Sequence, residues 1–253
     1  MEQWFSLKNN LKLNNMTLRI NNIMMLFLVW SFTQFVCAQE PTNPNWDAQK
    51  IKGIRLFPYP AYEGTPFLTD TWRPGKIEFA TGEIADSLFM KYSSFKDEVV
   101  YYNKEAGAQI NIDKESLNGF TFTDADGRIR SFRKQHFDNS AKSERYFEIL
   151  SAGETSLLAF RKVELNVTSA YHDMNGVLKN MAYNPLYQFY FYSTEKGYTF
   201  VRPSQSGLLA KFETPLQKPI KKLIRKSKIK IDGEDSFIQA WQVVEKAGYK
   251  VVF

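Results

Sequence analysis

Ser87–Ile112, SLFMKYSSFKDEVVYYNKEAGAQINI, decides the fold. It holds three short apolar runs, Leu88–Tyr92, Val99–Tyr102 and Ile110–Ile112, each rich in β-branched or aromatic residues. Leu88, Met90 and Tyr92 alternate with Phe89 and Lys91, and Ile110 and Ile112 alternate with Gln109, Asn111 and Asp113. This period of two is that of a half-buried strand. The linkers are only a few residues long, whereas a parallel crossover takes a dozen or more. The stretch therefore reads as an antiparallel meander, with strands to be added on both sides.

Downstream, FTFTDADGRIRSF (Phe120–Phe132) sets two alternating runs around Asp126-Gly127, a type I′ hairpin signal. Asp124 and Asp126 imitate the opening of a calcium loop. The later oxygen ligands and the closing Glu are missing, and Arg128 and Arg130 stand there instead, so the segment is read as a turn. Arg145–Leu150 and Ser156–Lys162 pair across Ala152-Gly153. Leu186–Val201, LYQFYFYSTEKGYTFV, is an aromatic hairpin about Glu195-Lys196-Gly197. Its Tyr187, Phe189 and Phe191 share one face, while Tyr190 and Tyr192 share the other. Two buried faces make it a central strand. An open second face would let Tyr190 and Tyr192 stack on a sugar, a peptide or another subunit.

Upstream, Ile51–Tyr59 is expected as a first strand ending at Pro58, Pro74-Gly75 as a turn, Lys76–Ala80 as a strand and Thr81-Gly82 as a further turn. Ser169–Asn184, with Asn175, Gly176 and Asn184-Pro185, reads as the least regular connection.

Past Pro215 the chain becomes helical. Pro219–Ser227 points Ile220, Leu223 and Ile224 inward, and Lys218–Lys230 carries seven basic residues and no acid. Lys221, Lys222, Arg225, Lys226 and Lys228 form a candidate patch for an anionic surface; the plainer reading is a solvated helix face. Asp232–Asp235 starts a second helix with acids at its positive end. Phe237, Ala240, Trp241 and Val244 form its inward stripe, Gly248 its stop, and Tyr249–Phe253 a closing strand.

The N-terminus carries an address. Met24–Phe32, MMLFLVWSF, follows Arg19 and precedes Val36-Cys37-Ala38, the plan of a secretory leader cut after Ala38. Nine to thirteen apolar residues fall short of the about 20 that span a bilayer. Met16 is an alternative start, and Val36 before Cys37 departs from the lipoprotein pattern. Removing residues 1–38 takes away Lys8, Lys12, Arg19 and Glu2, leaving 30 basic and 26 acidic groups, a net of +4. The single cysteine leaves too, so no disulfide or thiol chemistry is expected; a chain of this length builds a core without them.

Catalytic signatures are sparse. His172 beside Asp173 has the makings of a general base with Ser169 or Ser156, but no Gly-x-Ser-x-Gly surrounds either serine. His136 and His172 are the two histidines, too few for a histidine-only zinc site, and both read as exposed loop residues. No catalytic, cofactor-binding or metal-binding residue is assigned. Asp86-Ser87-Leu88 resembles the acceptor pattern of Bacteroidetes O-glycosylation, a three-residue pattern that also recurs by chance.

GTPFL (64–68), WRPGKIEF (72–79), LFMKYSSFKDEVVYY (88–102), YFEIL (146–150) and LLAF (157–160) together resemble uncharacterised secreted proteins of Bacteroidetes. The resemblance spans Gly64–Ala247 and departs at Ser169–Leu186. It implies a bacterial envelope setting and no defined activity.

The expected architecture is mainly β: an antiparallel curved sheet, sandwich or partly open barrel of eight to eleven strands, with two C-terminal helices. The expected divisions are a leader (1–38), an extended segment (39–62), the β domain (63–216) and a helical tail (217–253) packed on it. The expected function is an exported, non-catalytic binding or scaffolding role in the periplasm, at the outer membrane or outside the cell. Partners are then an envelope glycan, lipid or protein, with no cofactor and no nucleic acid. The alternatives are a hydrolase with a carboxylate-based site and a periplasmic lipid or lipoprotein carrier. Two facing carboxylates in an open cleft would mark the hydrolase, an apolar cavity the carrier, and a filled core the scaffold.

Overall fold

The computed structural model of the protein describes residues 51–60, 62–137, 143–172, 174–175 and 178–253. The leader and spacer expected over residues 1–45 lie outside these residues, as do Asp173 and Gly176.

Twelve strands form one open, mixed sheet. They are β1 (Gly53–Arg55), β2 (Glu63–Gly64), β3 (Arg73–Phe79), β4 (Ile84–Ser93), β5 (Glu98–Asn103), β6 (Ala108–Ile112), β7 (Leu117–Thr123), β8 (Ile129–His136), β9 (Glu144–Ser151), β10 (Ser156–His172), β11 (Leu178–Ser193) and β12 (Gly197–Val201). Their order is β1-β6-β5-β4-β3-β7-β8-β9-β10-β11-β12, with β2 beside β11 as the sole parallel pairing among the described residues. Three helices follow: α1 (Gln205–Leu209), α2 (Thr214–Lys226) and α3 (Glu234–Lys246). The expected β4–β5–β6 meander is present, with Leu88, Met90 and Tyr92 all buried.

Six local expectations are corrected. Pro74-Gly75 is not a turn but lies inside β3, opposite Phe89 and Leu88. A Cβ at Gly75 would stand 2.3 Å from the Thr121 carbonyl oxygen, so this glycine serves close strand approach. The Asp126-Gly127 hairpin is not type I′. Gly127 alone has positive φ, its N–H donates to the Asp124 carbonyl at 3.1 Å, and the Asp124 N–H donates to the Arg128 carbonyl, the pattern of a type I turn closed by a glycine bulge. The irregular connection expected over Ser169–Asn184 is mostly strand: β10 and β11 form a long hairpin with a register shift between Val167 and Tyr171. Pro185 is tolerated in it because β11 pairs with β2 only at 182–183 and with β12 only from 189, leaving an open edge between. Finally, Tyr249–Phe253 is not a strand; it is pinned by a Val252 N–H bond to the Lys211 carbonyl and by buried Val251. The first strand is likewise shorter than Ile51–Tyr59, and the helical region starts earlier than Pro219. Pro219 sits in the second turn of α2, where its missing N–H gives up only the bond to Pro215.

Directly paired residues share a face, so Phe132, Glu148 and Ala159 place β8, β9 and β10 on one continuous inner face. That face carries two apolar clusters. In the first, Tyr92 of β4 meets Phe132 of β8 at 5.0 Å between ring centroids, and Phe120 stacks on Phe132 at 4.6 Å. β4 and β8 are three strand spacings apart, about 14 Å in a flat sheet, so this half curls strongly on itself. In the second, the helices cover β10–β12: Phe237, Ala240, Trp241 and Val244 of α3 pack with Ile220 and Ile224 of α2 on Leu157, Phe189 and Phe191. Trp241 lies 4.4 Å from the Phe191 ring. This cluster buries the stripe expected for the last helix. A third, smaller cluster of Phe147, Leu158 and Tyr190 covers the outer face of β9–β11.

Candidate functional site

The two inner clusters meet at a band of buried charge. Arg161 of β10 is 1% exposed and saturated by carboxylates. Its Nε donates to Glu148 at 2.5 Å, and its two Nη atoms donate to the two oxygens of Glu234 at 2.6 and 2.5 Å. Arg130 donates to both oxygens of Glu148 at 3.1 Å and, through Nε, to Asp124 at 2.7 Å. Burial alone would raise the Glu234 carboxyl, but the Arg161 guanidinium outweighs it and holds the group below the usual carboxylate range. Asp124 is lowered likewise: burial opposes, and Arg130 and the Ala125 N–H prevail. Each of these carboxylates is fixed as an acceptor for arginine, which leaves none as an acid–base pair facing a substrate space.

The β9–β10 ladder is short, pairing only Leu157, Leu158 and Ala159. Its register would continue with Arg161 opposite Tyr146 and Val163 opposite Glu144, but the strands fork there. The β4–β5 turn, Ser94–Asp97, fills the fork. The Val163 N–H donates to the Ser94 carbonyl at 3.0 Å, and the Tyr146 N–H donates to the Asp97 carboxylate at 3.3 Å. Asp97, with φ of 60°, also accepts from the Tyr92 hydroxyl and from Lys114 Nζ, each at 2.5 Å. Burial pushes its carboxyl up from the ordinary value, and Lys114, Tyr92 and the Tyr146 N–H pull it back.

On the outer side of this wedge lies a cavity of about 250 Å³. Its walls are the rings of Phe95, Phe137, Phe147, Phe160 and Tyr190, and Lys96, Arg145 and Lys162 stand around it. Ser94 is 1% exposed, and among the described residues its Oγ has no hydrogen-bond partner. The Tyr190 hydroxyl donates to Gln188 Oε1 at 2.9 Å, so the amide nitrogen of Gln188 remains a donor.

The sequence-predicted basic patch is placed on one surface. Lys221, Lys222, Arg225 and Lys226 are exposed on α2, Lys228 just past it, and Lys218 and Lys230 flank them. At 100° per residue, Lys218, Lys221, Lys222, Arg225 and Lys226 fall within an arc of about 140°, opposite buried Ile220 and Ile224. Among the described residues none of the seven pairs with a carboxylate.

The aromatic candidates are placed differently. Tyr190 is 9% exposed and sits edge-on to Phe147 and Phe200, while Tyr192 is half-buried against Tyr198. Of the opposite face, Phe189 and Phe191 are buried beneath the helices, and Tyr187 lies under the Arg161 guanidinium. His136 and His172 are exposed; His136 lies 3.5 Å from Glu144. Asp124 and Asp126 serve their own turn, through Arg130 and the Arg128 N–H. Among the described residues no three His, Cys, Asp or Glu side chains group into a metal site, and no helix is long and apolar enough to cross a membrane. Ser87 is exposed at a register shift in the β3–β4 ladder, with φ of 61°. Sequence reading missed the cavity because its walls come from five separated segments, and only the fork joins them.

Comparison with family models, curated proteins and solved structures yields no match to this chain.

Proposed function

We propose that this is an exported, non-catalytic binding protein of a bacterial cell envelope, held to anionic lipid headgroups through the outer face of α2. The observation that carries the reading is the unpaired cationic arc on a helix whose opposite face is sealed into the core. No large apolar side chain accompanies the cations on that arc, so the helix adsorbs by charge and does not insert. Export and the envelope setting rest on the Met24–Ala38 leader pattern and on the family resemblance. The hydrolase reading loses support because the buried carboxylates are locked by arginine, and the carrier reading because the inner face is filled.

Each cation near an anionic membrane contributes about 1 kcal/mol, so five supply on the order of 5 kcal/mol at low salt. Screening shortens the range to about 8 Å at physiological ionic strength. Vesicles of phosphatidylglycerol should therefore bind the protein at about 20 mM salt and release it at about 500 mM, while phosphatidylcholine vesicles should not bind it. Replacing Lys221, Lys222, Arg225, Lys226 and Lys228 with Gln should abolish binding. Equal binding to both vesicle types, or binding by the five-Gln variant, sinks the proposal.

A further inference from the structure

We infer that the cavity beside the β4–β5 turn is a binding site for a small carboxylate that carries one ring. This rests on a different face of the protein from α2 and does not depend on the membrane reading.

Size comes first. An apolar cavity of about 150 Å³ accepts benzene. The 250 Å³ here admits one ring with a short substituent. The walls agree, since five aromatic side chains enclose the space and offer edge and face contacts to a flat guest.

Polarity then selects the substituent. Among the described residues the cavity has an excess of donors: Lys96, Arg145, Lys162 and the Gln188 amide nitrogen. Its one carboxylate among the described residues, Asp97, is engaged by Tyr92, Lys114 and the Tyr146 N–H. Lys162 is paired with Glu164, and Arg145 lies 5.7 Å over the Phe160 ring, a planar fork beside the aromatic wall. Such a fork takes a carboxylate in bidentate fashion.

The test is titration of the full mature chain, followed by amide NMR shifts, with benzoate, 4-hydroxybenzoate, benzamide and propionate. Benzoate should shift the amides of Phe95, Lys96, Phe147 and Phe160 with a Kd below about 1 mM, and 4-hydroxybenzoate should bind more tightly through its added hydroxyl. Benzamide, lacking the charge, and propionate, lacking the ring, should each bind at least about tenfold more weakly. The double variant Arg145→Gln, Lys162→Gln changes two side chains on the outer surface, so its circular dichroism should match the parent. It should lose benzoate affinity by about tenfold and leave benzamide unchanged. The inference fails if benzoate at 10 mM leaves those amides unmoved, or if benzamide binds as well as benzoate. It also fails if the shifts fall on α2 and vanish in its five-Gln variant, which would mark diffuse anion attraction.

Discussion

The two halves of this sheet bury the same inner face by different means. From β3 to β8 the sheet curls until Tyr92 and Phe132 touch, and the buried members of the first cluster are all strand side chains, with Ile51 and Leu68 packed against them. From β10 to β12 the strands are covered by α1–α3. Curling needs strands that can approach closely, as Gly75 against Thr121 permits, whereas covering needs helices with an apolar stripe, as Phe237–Val244 supplies. Neither device works where one gives way to the other. There the β9–β10 ladder shrinks to three residues, the β4–β5 turn enters as a wedge, and the inner face is filled by arginines and carboxylates. The seam thus collects the molecule's buried charge on one face and its cavity on the other.

The comparison breaks most severely at Arg161. Arg161→Met leaves Glu148 and Glu234 short of a buried partner, and urea denaturation should show a loss of about 3–5 kcal/mol. A loss under about 1 kcal/mol would mean that the charges are incidental to the seam. In the curled half, Gly75→Ala forces a Cβ onto the Thr121 carbonyl and should cost about 1–3 kcal/mol in the same measurement. Asp97→Asn keeps a residue that tolerates positive φ and an acceptor for Tyr92 and Tyr146, but it loses the charge toward Lys114 and puts an NH2 donor in place of the oxygen that accepts from Lys114. About 1 kcal/mol is expected, and Asp97→Ala should cost more. The five-Gln variant of α2 should change stability by less than about 0.5 kcal/mol, because its charges touch nothing.

Acid should distinguish the halves in sign. Glu234 is lowered below 4.5 in the folded state, so its contribution is present above that value and is lost as pH falls through the folded pKa. Asp97 is raised above 3.8, so the folded state holds its proton more firmly. Its contribution to stability therefore grows as pH falls from the raised value toward 3.8. Thermal melting between pH 3 and 7 should show an acid limb that is shallower in Glu234→Gln, and Asp97→Asn should leave that limb at least as steep as in the parent.

How much of this was legible follows from the range of the interactions. The hairpins at Phe120–Phe132 and Leu186–Val201 were readable because alternation is local, although the type of the turn at Asp126-Gly127 was misread. The basic face of α2 was readable for the same reason, since apolar and cationic residues segregate within thirteen positions. Pro74-Gly75 misled because the demand for glycine comes from Thr121, 46 residues away. The Asn184-Pro185 pair looked like a loop, yet an open edge tolerates it as strand. The Arg161 network and the Ser94 cavity had no sequence signature: their members span Asp124 to Glu234 and Ser94 to Tyr190, and only the fork between β9 and β10 brings them together.

The two-halves account is tested most directly by native-state hydrogen exchange of the mature chain in rising urea. The joint between β9 and β10 is three pairs long, so the account predicts two opening units. Amides of β10–β12 and α3 should lose protection together at one opening free energy, and those of β3–β8 should do so at another. A single isotherm for every core amide would contradict it, as would α3 opening alone while β10–β12 stay protected.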